Sequence, residues 1–213
     1  MQPSGNVNGD AADGPFASET HVRVLDVMER RPVGMEIHAI SEPGLHIVRA
    51  RLNDGFSSES GDQFALDSGK SGPLSPLRFQ DLSGDANSVL QESVAESIKV
   101  NPDPHLGFYN RANNISRKVH AFQLLPGVGS STARSWVEIR GPNGWVDLDE
   151  VSQKLDIDAV DLLAERYVSE MENPGEVPCM LDLLVRVGAY SGWAYGRSRC
   201  QIVSRIATRS NYS

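Results

Sequence analysis

Cysteine is scarce in this chain. Cys179 and Cys200 are the only cysteines, which excludes a zinc site built from cysteines alone and a disulfide framework. The histidines show neither metal-ligand spacing nor a neighbouring nucleophile motif: His21, His38, His46, His105 and His120. The acids Asp147, Asp149 and Glu150 lie at a predicted helix start, where the helix dipole favours carboxylates without any metal. We therefore expect a protein without a metal site or enzymatic activity.

Long apolar runs are also absent. No stretch approaches the ~18 to 20 residues needed to span a bilayer, and the N-terminus lacks a basic start followed by an apolar run. A chain of 213 residues with 39% hydrophobic residues can nevertheless bury a core, and its length suits one or two domains. We expect a cytoplasmic protein that does not associate with membranes.

The most informative segment is residues 124–129, LLPGVG, which is typical of a tight turn between two helices. Upstream apolar residues at helical spacing predict the first helix: Ile115, Val119 and Phe122. Pro126 ends that helix, because proline has no amide donor, and Gly127 and Gly129 can take a positive φ. Ser130 is a credible N-cap for a second helix extending to Ile139.

The start of that second helix predicts an anion site. The first amides of a helix have no acceptor within it, and the helix dipole adds partial positive charge there, so a phosphate oxygen fits. The candidate contacts are Gly127, Val128, Gly129, Ser130, Ser131 and Thr132. Such a contact would position the protein on a nucleic-acid backbone with little sequence preference. The alternative is a turn that only packs helices together or contacts a protein.

Charge is distributed unevenly along the chain, whose net charge is −8. Residues 111–140 are locally basic. Their only acid is Glu138, and their basic residues are Arg111, Arg117, Lys118, Arg134 and Arg140. Residues 141–185 are mainly acidic. The C-terminal segment carries arginines among aromatic residues and no acid beyond Asp182: Arg186, Tyr190, Trp193, Tyr195, Arg197, Arg199, Arg205, Arg209 and Tyr212. This pattern suits stacking on single strands or RNA, but the arginines could equally pair with the acidic stretch.

The order of patterns predicts an α+β protein, with a small N-terminal antiparallel β domain followed by an all-α tandem helix-hairpin-helix domain. We expect a disordered lead over residues 1–20, a barrel-like β domain of the oligonucleotide-binding kind over 21–70, a linker over 71–82, the helical domain over 83–187 and a basic segment over 188–213. Residues 156–158 replace a second hairpin without any glycine, so we expect that half to be structural.

The residues around the hairpin resemble a known family. The stretch FYNRA at 108–112, then Ile115, Arg117, His120 and LLPGVG, is similar to the archaeal domain-of-unknown-function 655 family. Fainter similarity covers most of residues 21–187. The resemblance implies a small β domain, a helix-hairpin-helix domain and nucleic-acid binding, with a monovalent cation held at the hairpin in some relatives. Relatives carry lysines after the second hairpin glycine, whereas this chain has Ser130 and Ser131, which predicts weaker binding.

Two functional hypotheses follow. The first is a non-enzymatic protein that binds DNA or RNA through the hairpin, helped by Arg117, Lys118, Arg134, Arg197 and Arg199. The second is an interaction module that docks a ribosomal or transcription component. Salt separates them, since phosphate binding weakens steeply as salt rises and an apolar interface hardly responds.

Overall fold

The computed structural model describes residues 16–32 and 34–186, which form an antiparallel sheet followed by helices. The strands are β1 (His21–Arg30), β2 (Gly34–Glu42), β3 (Ile47–Arg51), β4 (Gln63–Ala65) and β5 (Ser75–Pro76). The helices are α1 (Gly84–Val100), α2 (Asp103–Arg111), α3 (Ser130–Arg140), α4 (Leu148–Leu155) and α5 (Ala159–Glu172). The predicted mixed class, with the sheet first and the helices after it, is confirmed.

The sheet is open rather than barrel-like. Its strand order is β4-β1-β2-β3-β5, and every neighbouring pair is antiparallel. The two outer strands lie at opposite edges, so no ladder closes the sheet, and the predicted barrel-like closure is wrong. The physical reason is that β4 and β5 pair with their neighbours over only a few residues, too few to continue around a cylinder.

Residues 61–77, which we call the crossing segment, connect the two edges of the sheet. The segment pairs with β1 through β4 and reaches β3 through a bridge between Leu52 and Ser71, followed by β5. On the way, Leu66 and Leu74 pack against the apolar side chains of one sheet face. That face is lined by Val22, Val24, Ile37, Ala39, Val48, Ala50, Leu52 and Phe64. The crossing segment therefore helps to bury a sheet face against which none of the described helices α1 to α5 packs.

A β-bulge in β1 turns two successive residues toward the helices. The pairing with β2 shifts between Val24 and Asp26, as happens when one extra residue enters a strand. Leu25 consequently joins the core shared with the helices, while the Asp26 carboxylate accepts a 2.6 Å hydrogen bond from the Ser83 hydroxyl.

Helix α1 is held against the sheet at its N-terminal end by a polar contact. The Ser83 hydroxyl caps the helix by accepting from the Ala86 amide. The Ser83 amide in turn donates to Nδ1 of the buried His38, over 3.2 Å.

A second polar contact holds α1 near its C-terminal end. The buried Ser97 hydroxyl donates to the Glu42 carboxylate, which also accepts from Arg23 on β1 and Gln63 on β4. Between the two ends, fully buried apolar residues line the helix face that meets the sheet and α5: Ala86, Leu90, Val94 and Ile98.

The main core continues from the sheet into all five helices. It includes Leu25, Ile40, Leu45 and Ile47 from the sheet side, together with Tyr109, Phe122, Trp136 and Trp145 from the helical side. Residues 16–20, assigned from sequence to a disordered lead, also make fixed contacts, because the Glu19 carboxylate accepts from the Gly44 amide at 2.8 Å. The predicted 71–82 linker contains β5 and a 3₁₀ turn, Phe79–Asp81.

Burial perturbs two histidines strongly. Desolvation lowers the pKa of His105 to about 4, and desolvation with the nearby Arg186 cation lowers the pKa of His46 to about 4. Both imidazoles are neutral in the folded and unfolded states above pH 6.5. Between pH 6.5 and 4 the unfolded chain binds protons that the folded chain does not, so the free energy of unfolding should fall on acidification.

We expect His105→Gln to reduce this acid-dependent loss. Urea unfolding at pH 7 and pH 4.5 measures the loss in both proteins, and the difference between them isolates His105 from the carboxylates that also titrate. An equal loss in the variant would contradict the burial of a neutral His105.

Candidate functional site

The LLPGVG turn joins a 3₁₀ helix, Ala121–Leu124, to α3. The Val128 amide donates to the Leu125 carbonyl over 3.2 Å and closes the turn. Gly127 has φ 72°, as glycine permits, whereas Gly129 has φ −83° and ψ 175°, an extended conformation open to any residue. The expectation that the turn requires a positive φ at glycine therefore holds for Gly127 alone.

The turn packs its apolar side chains against the core and exposes the backbone of its glycines to solvent. Leu125 is buried and Val128 is half-buried against the main core. Gly127 and Gly129 are exposed, and an added Cβ at either position would meet no atom within 4 Å. The backbone beside both glycines is thus open to a ligand.

The N-terminus of α3 continues this open surface. Gly129 occupies the N-cap position, so the prediction of Ser130 as N-cap is wrong, and no side chain caps the first amides. The first helical hydrogen bond is donated by the Ala133 amide to the Gly129 carbonyl. Ser130, Ser131 and Thr132 are exposed. Their backbone amides come before Ala133, whose amide is the first to have an acceptor four residues back, so the helix itself offers them no such partner.

Helix α3 differs in charge from the other helices α1, α2, α4 and α5. Each of those has an acid in its first turn: Asp85 in α1, Asp103 in α2, Asp149 and Glu150 in α4, and Asp161 in α5. Helix α3 has none. The positive end of its dipole is therefore not neutralised by its own first turn.

The turn between α4 and α5 has the opposite character. The Asp158 carboxylate accepts from the Asp161 amide at 2.8 Å, and the Ser152 hydroxyl accepts from the Ala159 amide at 3.1 Å. Asp156 takes the left-handed conformation, with φ 56°. Carboxylates and protein acceptors thus occupy the places that a phosphate would need, in line with the structural role expected for residues 156–158.

The helix predicted before the hairpin is not continuous. Residues 113–120 form a loop, in which the Ile115 amide donates to the Val119 carbonyl and a bridge joins Asn114 to His120. The predicted helical stripe of Ile115, Val119 and Phe122 is therefore wrong, since only Phe122 is helical.

The predicted basic side chains are dispersed. Arg117 and Lys118 are exposed in the 113–120 loop, and Arg134 is exposed on α3 itself. The structure thus places Arg134 on the helix that follows the turn and leaves Arg117 and Lys118 on a separate loop. Arg197 and Arg199 lie outside the described residues.

Arg140, counted among the basic residues of this region, is engaged in packing. Its guanidinium donates to the carbonyls of Tyr109 (3.1 Å) and Ala112 (2.7 Å), at the end of α2. Its guanidinium carbon lies 5.6 Å from the centre of the Phe122 ring, and burial lowers its pKa. Arg140 thereby fixes α3 relative to α2 and the 3₁₀ helix, and no spacing in the sequence indicates this role.

Other polar side chains position the turn. His120 Nδ1 accepts from the Phe122 amide at 3.1 Å, and the Gln123 side chain accepts from the His120 amide at 2.8 Å, which together cap the 3₁₀ helix. Asp147 caps α4 by accepting from the Glu150 amide at 2.7 Å, as its position predicts. Within residues 16–32 and 34–186, no three histidine, cysteine, aspartate or glutamate side chains are grouped as a metal ion requires.

The geometry defines an α+β protein with an open antiparallel sheet and a glycine turn at the start of a helix. The chain belongs to the family described as "Protein of unknown function (DUF655)", whose model matches residues 21–178. The family membership that the sequence resemblance predicted is thus confirmed. No curated protein matches.

A solved structure shares the fold. The crystal structure of Af1531 from Archaeoglobus fulgidus, also of family DUF655, is 21% identical, with a TM-score of 0.67. The match covers 75% of this chain and 97% of that one. No helix among the described residues is long and apolar enough to cross a membrane.

Replacing each turn glycine by serine tests the difference in backbone conformation between Gly127 and Gly129. We expect Gly127→Ser to lower the free energy of unfolding by about 1 to 2 kcal/mol, because a side chain disfavours the left-handed conformation. Gly129→Ser should leave stability unchanged or slightly higher, since serine is a good N-cap. Urea unfolding measures both variants, and equal losses would contradict the assigned conformations.

Proposed function

We propose that this protein binds the phosphate backbone of DNA or RNA through the 125–129 turn and the N-terminus of α3, as a helix-hairpin-helix does. The contact is non-enzymatic and largely independent of base sequence. The observation that carries the proposal is that α3 starts without a side-chain cap or an acid, directly after two glycines with open space beside them. We also propose a cytoplasmic location, where such a ligand is available.

Local charge supports a weak contact at this surface. Ser130 and Ser131 supply hydroxyl groups rather than the cations found in relatives, so counterion release at the turn is small. Arg134 is the exposed cation on α3 itself, with Glu138 one turn further along. Further affinity would come from Arg117 and Lys118 and, in the C-terminal segment, from Arg197 and Arg199.

A second candidate is docking of a protein partner, such as a ribosomal or transcription component. Two exposed apolar side chains favour it, because Ile139 (46% exposed) and Val146 (83% exposed) lie on either side of the 141–144 turn. Such a contact would be apolar and would respond little to salt. Binding of duplex DNA, duplex RNA and single strands at two salt concentrations distinguishes the two candidates.

Ser131→Glu places a negative charge at the proposed anion site. We expect its affinity for an oligonucleotide to fall about tenfold, which corresponds to ~1.4 kcal/mol, because the carboxylate competes with phosphate for the α3 amides. Ser131→Gln is the matched neutral control and should bind like the parent protein. Filter binding measures all three, and equal affinity of the glutamate and glutamine variants would exclude this surface as the contact.

Arg134→Gln tests whether α3 contributes a charged contact. If Arg134 neutralises one phosphate, its removal should reduce the slope of log affinity against log salt by about 0.7 to 0.9. Arg49→Gln, an exposed arginine on β3, serves as the control. A salt slope equal to that of the control would place Arg134 outside the interface.

A further inference from the structure

A cleft lies where the sheet meets the ends of α1 and α2, away from the hairpin. Its volume is about 400 Å³. The turn between β2 and β3 contributes Pro43 and Leu45, the end of α1 contributes Val100, and α2 contributes Pro104 and His105. A smaller cavity beside it shares Ser18, Pro43 and Val185, so the two form one continuous depression.

The cleft combines an apolar wall with a polar floor. Val100 is 62% exposed, so its side chain has little cover on the cleft side. On the floor, the buried Glu42 carboxylate accepts from Arg23, Ser97 and Gln63. A carboxylate has about four acceptor positions, so Glu42 can accept one further donor. This composition suits an amphipathic aromatic side chain that carries an N–H or O–H group.

The described chain ends at the rim of this cleft. The Arg186 guanidinium donates to the carbonyls of Gly44 and Leu45, each over 2.8 Å, and Val185 lines the cleft itself. The next residues of the chain therefore start within reach of the cleft, because each extended residue spans about 3.3 Å or more.

Two segments of the chain adjoin, in sequence, the described residues that line this cleft. Residues 1–15 precede Phe16 and contain no aromatic residue. Residues 187–196 follow Arg186 and contain Tyr190, Trp193 and Tyr195. Only the second segment supplies the kind of side chain that the cleft suits, and it lies beyond the 21–178 region matched by the family model.

We propose that residues 187–196 dock in this cleft, where Trp193 supplies the amphipathic aromatic side chain that the cleft suits. The segment then covers the exposed end of α1 and continues the contact that Arg186 begins. The cleft is an intramolecular docking site that does not depend on the hairpin or on nucleic-acid binding.

Tryptophan fluorescence of the full chain tests the proposal. Trp193 is one of three tryptophans, and the other two, Trp136 and Trp145, are buried in the core. The difference between the parent protein and Trp193→Phe therefore isolates Trp193. We expect emission at a shorter wavelength than tryptophan in water and weak quenching by acrylamide.

Val100→Glu should release the segment, because a carboxylate replaces the apolar wall next to Glu42. Trp193 emission should then shift to longer wavelength, and its acrylamide quenching constant should rise several-fold. Val146→Glu makes the same substitution at an exposed residue elsewhere and should change neither quantity. Val100→Lys is a second releasing variant, and the emission of Trp136 and Trp145 in the Trp193→Phe background reports whether each variant folds.

Three results would overturn the proposal. Trp193 could be quenched like free tryptophan in the parent protein, or its quenching could be unaffected by both Val100 variants. Protection of Trp193 that disappears on dilution would instead assign its burial to a second copy of the chain. Ser131→Glu should leave Trp193 unchanged, so failure of nucleic-acid binding at the hairpin is distinguishable from failure of docking.

Discussion

The fixed position of α1 on the sheet is the constraint on which the rest of the structure depends. Ser83 and Ser97 hold the two ends of this helix, the first through Asp26 and His38 and the second through Glu42. Between them, α1 meets the sheet through apolar side chains, which alone would allow the helix to slide or rotate on the sheet. Two polar contacts separated by most of the helix fix its rotation and its register, because leaving a buried polar group without its partner costs free energy.

The helical half is positioned through this fixed helix. Helix α5 packs along α1, and Gln91 of α1 donates to Asp161 at the start of α5 over 2.8 Å. Helix α2 joins α5 through the Tyr109 hydroxyl, which donates to the Ala159 carbonyl. Arg140 then joins α3 to α2. The hairpin surface is thus located by a series of hydrogen bonds between successive elements that begins at the sheet.

Local chemistry made several elements predictable from sequence. The glycine turn and the helix start at Asp147 follow from residues close together in the chain, as do the main strands. Ile115 and Val119 have the spacing of a helix, but in the 113–120 loop this spacing arises from a chain reversal, which the hydrogen bond from the Ile115 amide to the Val119 carbonyl closes. Features set by distant partners were not predictable, namely the β1 bulge, the packing role of Arg140 and the open sheet. Among the candidate site residues, those from Gly127 to Arg134 lie on the turn and the helix that follows it, so their proximity follows from the sequence. Arg117 lies on a separate loop, and its position relative to the turn could not be predicted from neighbouring residues.

The crossing segment has a consequence for association between molecules. Open sheets present unpaired edge strands, which can template pairing with another chain. Here one continuous segment occupies much of both edges: it bonds to Val24 near one edge and to Ile47 and Arg51 along the other. A proteolytic cut near Leu74 would therefore weaken the pairing of the crossing segment, and the edges that it leaves unpaired on β1 and β3 could pair with another chain.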